Sequence, residues 1–217
     1  MLETATNSAG SVSVSSVVTG VVVAGSSLAP STPVLDDFNR ANGPVGAGWS
    51  LIRPTGFASM NVLGNAAVDS SSSLFTWDYW NATSFGPDSE AYVTVTGYVS
   101  GDVFRIGARV TGAGTTGASG YYVAVGGSGA WSIVRIDAGL SVTIASGATQ
   151  PLASGDKLAI RVVGSVVSAL HFTGAGGWVQ VLTHDISGDS IRYTGPGRLA
   201  LEYKTSTVDN FGGGTLP

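Results

Sequence analysis

The sequence predicts an all-β protein folded as an antiparallel two-sheet sandwich, on three observations. Of its 217 residues 32 are Gly and only 11% are charged, a makeup that suits short strands joined by turns and disfavours long helices. Segments alternating at a two-residue period recur along the chain, separated by Gly, Ser, Asp or Pro. The third observation is residues 120–136, GYYVAVGGSGAWSIVRI, in which two alternating runs flank a Gly-rich break and so read as a β-hairpin. In its first arm Tyr121, Val123 and Val125 share one face, and Tyr122 and Ala124 the other. The break supplies glycines for the positive φ of a tight reversal.

A hydrophobic content of 43% fills one sizeable core at this length, so one main domain is expected. The formal charge of −4 and a pI near 4.9 give no basic footprint, which excludes a phosphate-tracking nucleic-acid surface. With no Cys there is neither a disulfide nor a thiolate metal site.

Residues 1–33 differ in character from the rest of the chain. The stretch SVSVSSVVTGVVVAG has strand period but no aromatic residue to anchor a core. No Lys or Arg precedes its apolar part, which argues against a signal peptide. Nothing in it approaches the roughly 20 apolar residues of a membrane span. Two readings fit: an arm that adds strands to a neighbouring subunit, or an extra strand or loose leader of its own domain. Pro30 and Pro33 then stiffen a linker.

The domain proper is expected over residues 34–217. Leu35 and Phe38 are its first apolar points, Asn42-Gly43-Pro44 is a turn signal, and a strand begins near Trp49. Further strands are expected over 66–68, 74–79, 89–97, 103–111, the hairpin, 140–145, 157–163, 166–172, 178–183 and 198–203. Val208-Asp209-Asn210-Phe211 echoes Asp36-Asp37-Phe38, so the ends of the domain are expected to pair and let Phe38 and Phe211 close the core.

DDFNRANGPVGAGWS, YWNATSFGPDSEAYVTV, GYYVAVGGSGAWSIVRI and VDNFGGG, in that order, resemble the concanavalin A-like lectin/glucanase jelly rolls, in the version found in tail proteins of phages of actinobacteria. The resemblance covers about residues 35–214. It implies two stacked antiparallel sheets in a jelly roll, preceded by an extended N-terminal β arm. It further implies a place on the exterior of a virion, and with the acid pattern below missing the reading is a non-enzymatic minor tail or decoration protein present in many copies. The arm would join it to other virion proteins, and the lectin-like domain would face outward and adhere to host-surface glycan. The alternative within this fold is a carbohydrate-active enzyme.

Glycoside hydrolysis requires two carboxyl groups flanking one sugar bond. The glucanases of this fold are expected to carry Glu-x-Asp-x-x-Glu on one strand. None of the three glutamates, Glu3, Glu90 and Glu202, begins that pattern. Asp88 and Glu90 come nearest, yet Tyr92 and Thr94 supply no further acid, and a solvated strand entrance is the plainer reading. His171, inside an apolar strand, and His184, beside Asp185, serve no nucleophile elbow. No catalytic residue and no cofactor is therefore expected. Asp36, Asp37, Asp209 and Asn210 converge if the end strands pair, and their oxygens suit Ca²⁺. Neighbouring acids on a strand face opposite ways, however, so caps on turn backbone are the favoured use and no metal site is expected.

Aromatic residues remain, and sugar rings stack their C–H faces on Trp and Tyr. Along the strand expected near 74–79, Asp78 and Trp80 share a face, and Asp is rarely buried unpaired, so that face is expected to be exposed. Trp80, Tyr122 and Arg109 are the candidate ligand-binding residues.

Overall fold

The computed structural model describes residues 2–7, 10–15 and 28–217 apart from Ser72. The chain runs through β1 (Leu2–Asn7), β2 (Gly10–Ser15), β3 (Val34–Asp36), β4 (Gly43–Pro44), β5 (Trp49–Leu51) and β6 (Met60–Leu63). It continues through β7 (Ala66–Asp69), β8 (Thr76–Trp80), β9 (Ser89–Gly97), β10 (Phe104–Thr111), β11 (Ser119–Val125) and β12 (Ala130–Asp137). The last strands are β13 (Leu140–Thr149), β14 (Lys157–Val163), β15 (Val166–Thr173), β16 (Gly177–Asp185), β17 (Arg198–Tyr203) and β18 (Thr207–Thr215). Among the described residues the helical content is one 3₁₀ turn, Ile186–Gly188.

Two antiparallel sheets form the sandwich. One has seven strands in the order β13-β12-β11-β10-β17-β8-β5. The other has nine, in the order β16-β15-β14-β9-β18-β7-β6-β4 with β3 added on β18. The expected hairpin is β11–β12, in register from Gly120 opposite Ile136 to Val125 opposite Trp131, with Gly129 at φ 81° in its turn. The expected pairing of the domain ends is also present, Phe211 lying opposite Asp36. Phe38, Trp49 and Phe211 pack ring on ring there, Trp49 and Phe211 with centroids 4.7 Å apart.

The main core lies between the sheets, where the inward residues of β9, β10, β11, β14 and β17 are fully buried. A second apolar layer covers the outer face of the seven-stranded sheet. There Ile52, Trp77, Tyr122, Ala124, Val134 and Ile136 are buried, with Phe57 and Ala113 packed against them. β11 shows why: SGYYVAV is apolar on both faces, and a strand of that kind is buried on both.

β1 and β2 pair with each other, from Leu2 opposite Ser15 to Asn7 opposite Gly10, in a sheet of their own. Part of the sequence-predicted arm, residues 16–27, lies outside the described residues. Residues 28–33 are bonded to the sandwich.

Candidate functional site

Outward residues of the nine-stranded sheet fall into rows, because alternation along a strand and registry between strands are fixed together. On β14 the outward positions are Lys157, Ala159 and Arg161, directly opposite Thr94, Tyr92 and Glu90 of β9. β18 continues the rows with Asp209, Gly212 and Gly214. On the other side Lys157 lies opposite Phe172 of β15, which lies opposite Trp178 of β16.

Residues 28–33 cross two of these rows as a strap. Glu90, fully buried, accepts hydrogen bonds on Oε1 from the Ser31 and Thr32 N–H groups at 2.6 and 3.0 Å and from the Thr32 hydroxyl at 3.0 Å. Its Oε2 accepts from Nε and Nη2 of Arg161 at 2.9 and 2.7 Å, and Nη2 also donates to the Ala29 carbonyl. The Tyr92 hydroxyl donates to Thr32 O at 2.9 Å. Burial, then the nearby Glu90 charge, push the Tyr92 phenol above its ordinary pKa, which keeps it a donor. Two glycines of the VDNFGGG segment make the fit: a Cβ on Gly212 would stand 2.1 Å from the Tyr92 ring, and one on Gly214 would press on Thr32 at 3.0 Å.

The remaining row, Trp178–Phe172–Lys157–Thr94, is open. It borders a hollow of about 380 Å³ lined by Pro30, Val34, Tyr92, Lys157, Trp178 and Asn210, among others. A neighbouring hollow of about 480 Å³ shares Val34 and Asn210 and extends to Asp37. Trp178 and Phe172 have centroids 5.6 Å apart, and the Lys157 ammonium stands 5.3 Å from the Phe172 centroid, a cation–π arrangement. Trp178, Phe172, Tyr92, Thr94, Lys157 and Asn210 are all half-buried. An aromatic shelf thus meets an ammonium, hydroxyls and an amide in one groove, the mixture of apolar surface and a few polar anchors typical of small-ligand sites.

The candidate residues from sequence sit elsewhere, and none lines either hollow. The expectation that they are surface residues is corrected for two of the three. Tyr122 is fully buried in the outer apolar layer, its ring 6.0 Å from that of Trp77. Arg109 is 1% exposed and has φ 52°. It is consumed by loop carbonyls, donating to Pro87 O at 2.6 Å, Gly164 O at 2.7 Å and Tyr193 O at 3.0 Å. Trp80 is half-buried and packs edge-on to Trp49 with centroids 5.5 Å apart. Asp78, expected to mark an exposed face, is 1% exposed. Its Oδ2 accepts from Met60 N at 3.1 Å, and burial raises its pKa to about 7.

The remaining chemistry-bearing residues serve the fold. Burial opposes ionisation of Asp36, but hydrogen bonds from Arg40, Trp49 Nε1 and Phe38 N outweigh it and hold the pKa below its ordinary value. Asp37 and Asp209 accept from Asn39 N and Asn210 N, so the turn-capping use expected of these acids is what they have. No group of three or more His, Asp or Glu able to hold a metal occurs among the described residues. His171 is bonded to Asp156 and Gln150, both at 3.0 Å, with its ring tilted against that of Trp131, while His184 is bonded to Asp189. Neither ring bonds a hydroxyl among the described residues. Asp88 accepts from Gly164 N at 2.8 Å and faces Arg109 Nη2 at 3.5 Å.

No family model matches the sequence, and no curated protein matches it. Solved structures share the fold. The carbohydrate-binding module CBM66 from Bacillus subtilis is 15% identical with a TM-score of 0.50, over 76% of this chain and 92% of that one. The exoplasmic/lumenal domain of VIP36, in a form bound to Ca²⁺ and Man3GlcNAc, is 12% identical with a TM-score of 0.55, over 78% and 84% of the two chains. A xylan β-1,4-xylosidase from Bacillus halodurans is 16% identical with a TM-score of 0.51, over 84% of this chain but 39% of its own. At these identities the likeness establishes the jelly-roll sandwich.

Proposed function

We propose that this chain is a non-catalytic glycan-binding protein whose site is the open row on the nine-stranded sheet. The observation that carries the reading is the half-buried Trp178 beside Lys157, Thr94 and Asn210 in one groove. A pyranose ring lays its C–H face on the indole, while the ammonium, hydroxyl and amide take its hydroxyl groups. The resemblance in fold to a carbohydrate-binding module and to a domain solved with Man3GlcNAc supports the same chemistry. Catalysis is disfavoured because Glu90, the acid nearest a catalytic pattern, spends both carboxylate oxygens on the strap and Arg161.

The setting we propose is the outside of a phage particle, with the N-terminal arm joining other virion proteins or further copies of this chain. It rests on the sequence resemblance to phage tail proteins. The hairpin β1–β2, which pairs with neither sheet of the sandwich, is compatible with it. Titration of the purified chain with wall-polysaccharide fragments, followed by NMR shifts, tests the binding reading. Binding that weakens about tenfold or more in Trp178→Ala, without loss of fold, is the expected result. Sugar release from the same polysaccharide would overturn the non-catalytic reading.

A further inference from the structure

A third hollow lies on the opposite sheet. At one end of the seven-stranded sheet, Tyr79 of β8, Thr111 of β10 and Arg198 of β17 come together. Ser84, Val110 and the turn residues Gly112, Ala113, Pro196 and Gly197 complete a hollow of about 240 Å³. Arg198 Nη1 donates to the Asn81 carbonyl at 2.9 Å, which fixes the guanidinium and leaves Nε and Nη2 without a hydrogen-bond partner among the described residues. Arg198 takes part in none of the ion pairs among those residues, which include Arg40, Arg105, Arg109, Arg135 and Arg161. The Tyr79 and Thr111 hydroxyls also lack partners there, and no carboxylate lines the hollow. In a chain of net charge −4, an Arg placed in a hollow without an acidic wall is a site for negative charge.

We infer that this hollow is a second saccharide site, one that takes a sugar unit carrying a carboxylate. The guanidinium fork matches a carboxylate in two parallel hydrogen bonds. The Tyr79 ring edge and the two hydroxyls suit the rest of one sugar unit. Because the site lies on the other sheet, it goes beyond the Trp178 groove and does not depend on it. Two sites on one chain would bind one polysaccharide with avidity well above that of either alone.

The test is an NMR titration of the full chain with a glucuronate-containing oligosaccharide, the same oligosaccharide with its carboxyl groups reduced, and inorganic phosphate alone. The expected result is binding of the acidic sugar that perturbs residues 79, 111 and 198 and falls at least tenfold in Arg198→Ala. It is also expected to fall for the reduced sugar, and the shifts at residues 79, 111 and 198 are expected to persist in Trp178→Ala. Thr111→Val, which removes one hydroxyl and leaves the Arg198–Asn81 bond, serves as a second variant and is expected to weaken binding severalfold. Unchanged binding in Arg198→Ala, equal binding of the reduced sugar, or phosphate binding as tightly as the sugar would each overturn the inference. Loss of acidic-sugar binding in Trp178→Ala alone would place the ligand in the groove instead.

Discussion

Over β11 and β12 the outer face of the seven-stranded sheet is apolar and roofed over, whereas that of the nine-stranded sheet is polar, strapped at one end and open at the other. Both faces are built by the same alternation. On β11 the outward residues are Tyr122 and Ala124, buried in one cluster with Ile52 and Trp77, against which Phe57 packs. On β14 and β9 they are Lys157, Arg161, Glu90 and Thr94, which cannot be sealed without partners. The outward half of a strand, not its inward half, therefore decides whether a sheet face is available for binding. Where it is apolar the chain supplies a second layer, and where it is charged the chain pairs those charges or leaves them to solvent and ligand.

The largest expected effect separates the two faces by one residue type. Trp77→Ala empties the outer apolar layer and is expected to cost about 3–5 kcal/mol, while Trp178→Ala on the half-open groove costs about 1 kcal/mol or less. Urea unfolding of the two variants measures this, and equal costs would erase the distinction between the faces.

β8 carries the same distinction in the opposite direction. Asp78 has a folded pKa near 7 because burial penalises its charge, well above the ordinary aspartate value of 3.8. Ionised Asp78 therefore opposes folding. The penalty is absent below about pH 4, grows as pH rises through the folded pKa, and is complete above it. Asp78→Asn is expected to stabilise the protein by up to about 4 kcal/mol at pH 8 and to leave it unchanged near pH 3. Thermal melts of both proteins across that range decide it, and a variant destabilised at pH 8 would contradict the assignment.

A smaller effect is expected at the strap. Glu90→Gln keeps the shape but removes the charge that holds Arg161 and two backbone N–H groups, at a cost of about 2–3 kcal/mol. Removing residues 1–27 keeps Ala29, Ser31 and Thr32 on Arg161 and Glu90 and is expected to cost less than Glu90→Gln. Removing 1–33 takes away Ser31 and Thr32 and is expected to cost at least as much as Glu90→Gln. Equal melting of the two truncated chains would show that the strap does not hold.

Much of the fold was legible because turns and alternation are local. The β11–β12 hairpin, the pairing of Asp36 with Phe211, and the strands of 89–97, 157–163 and 198–203 all follow from residues near one another in sequence or from a visible echo. β6 gave no such signal, because Met60–Leu63 is short and comes after a stretch of turn residues. The site was less legible for a physical reason. The rule that strands have one polar face puts Asp78 and Tyr122 at the surface, and β8 and β11 break that rule. The signal was present in GYYVAV, apolar at every position after the glycine, a run that calls for cover on both sides. Glu90 carried none, since its partners Ser31 and Thr32 lie 59 and 58 residues away and are recruited through backbone N–H groups that any sequence has. Lys157 and Arg161 on one face of KLAIRVV did mark a polar outward row.

The most direct measurement is a glycan titration of the intact chain beside Trp178→Ala, Lys157→Ala and Tyr122→Phe, with chemical shifts mapped by residue. The expected result is perturbation centred on Trp178, Phe172, Lys157, Thr94 and Asn210, with affinity reduced about tenfold or more by Trp178→Ala, less by Lys157→Ala and not at all by Tyr122→Phe. Shifts centred on Trp77 and Tyr122, with Trp178→Ala binding as well as the parent chain, would place the ligand on the covered face and contradict the assignment of the groove.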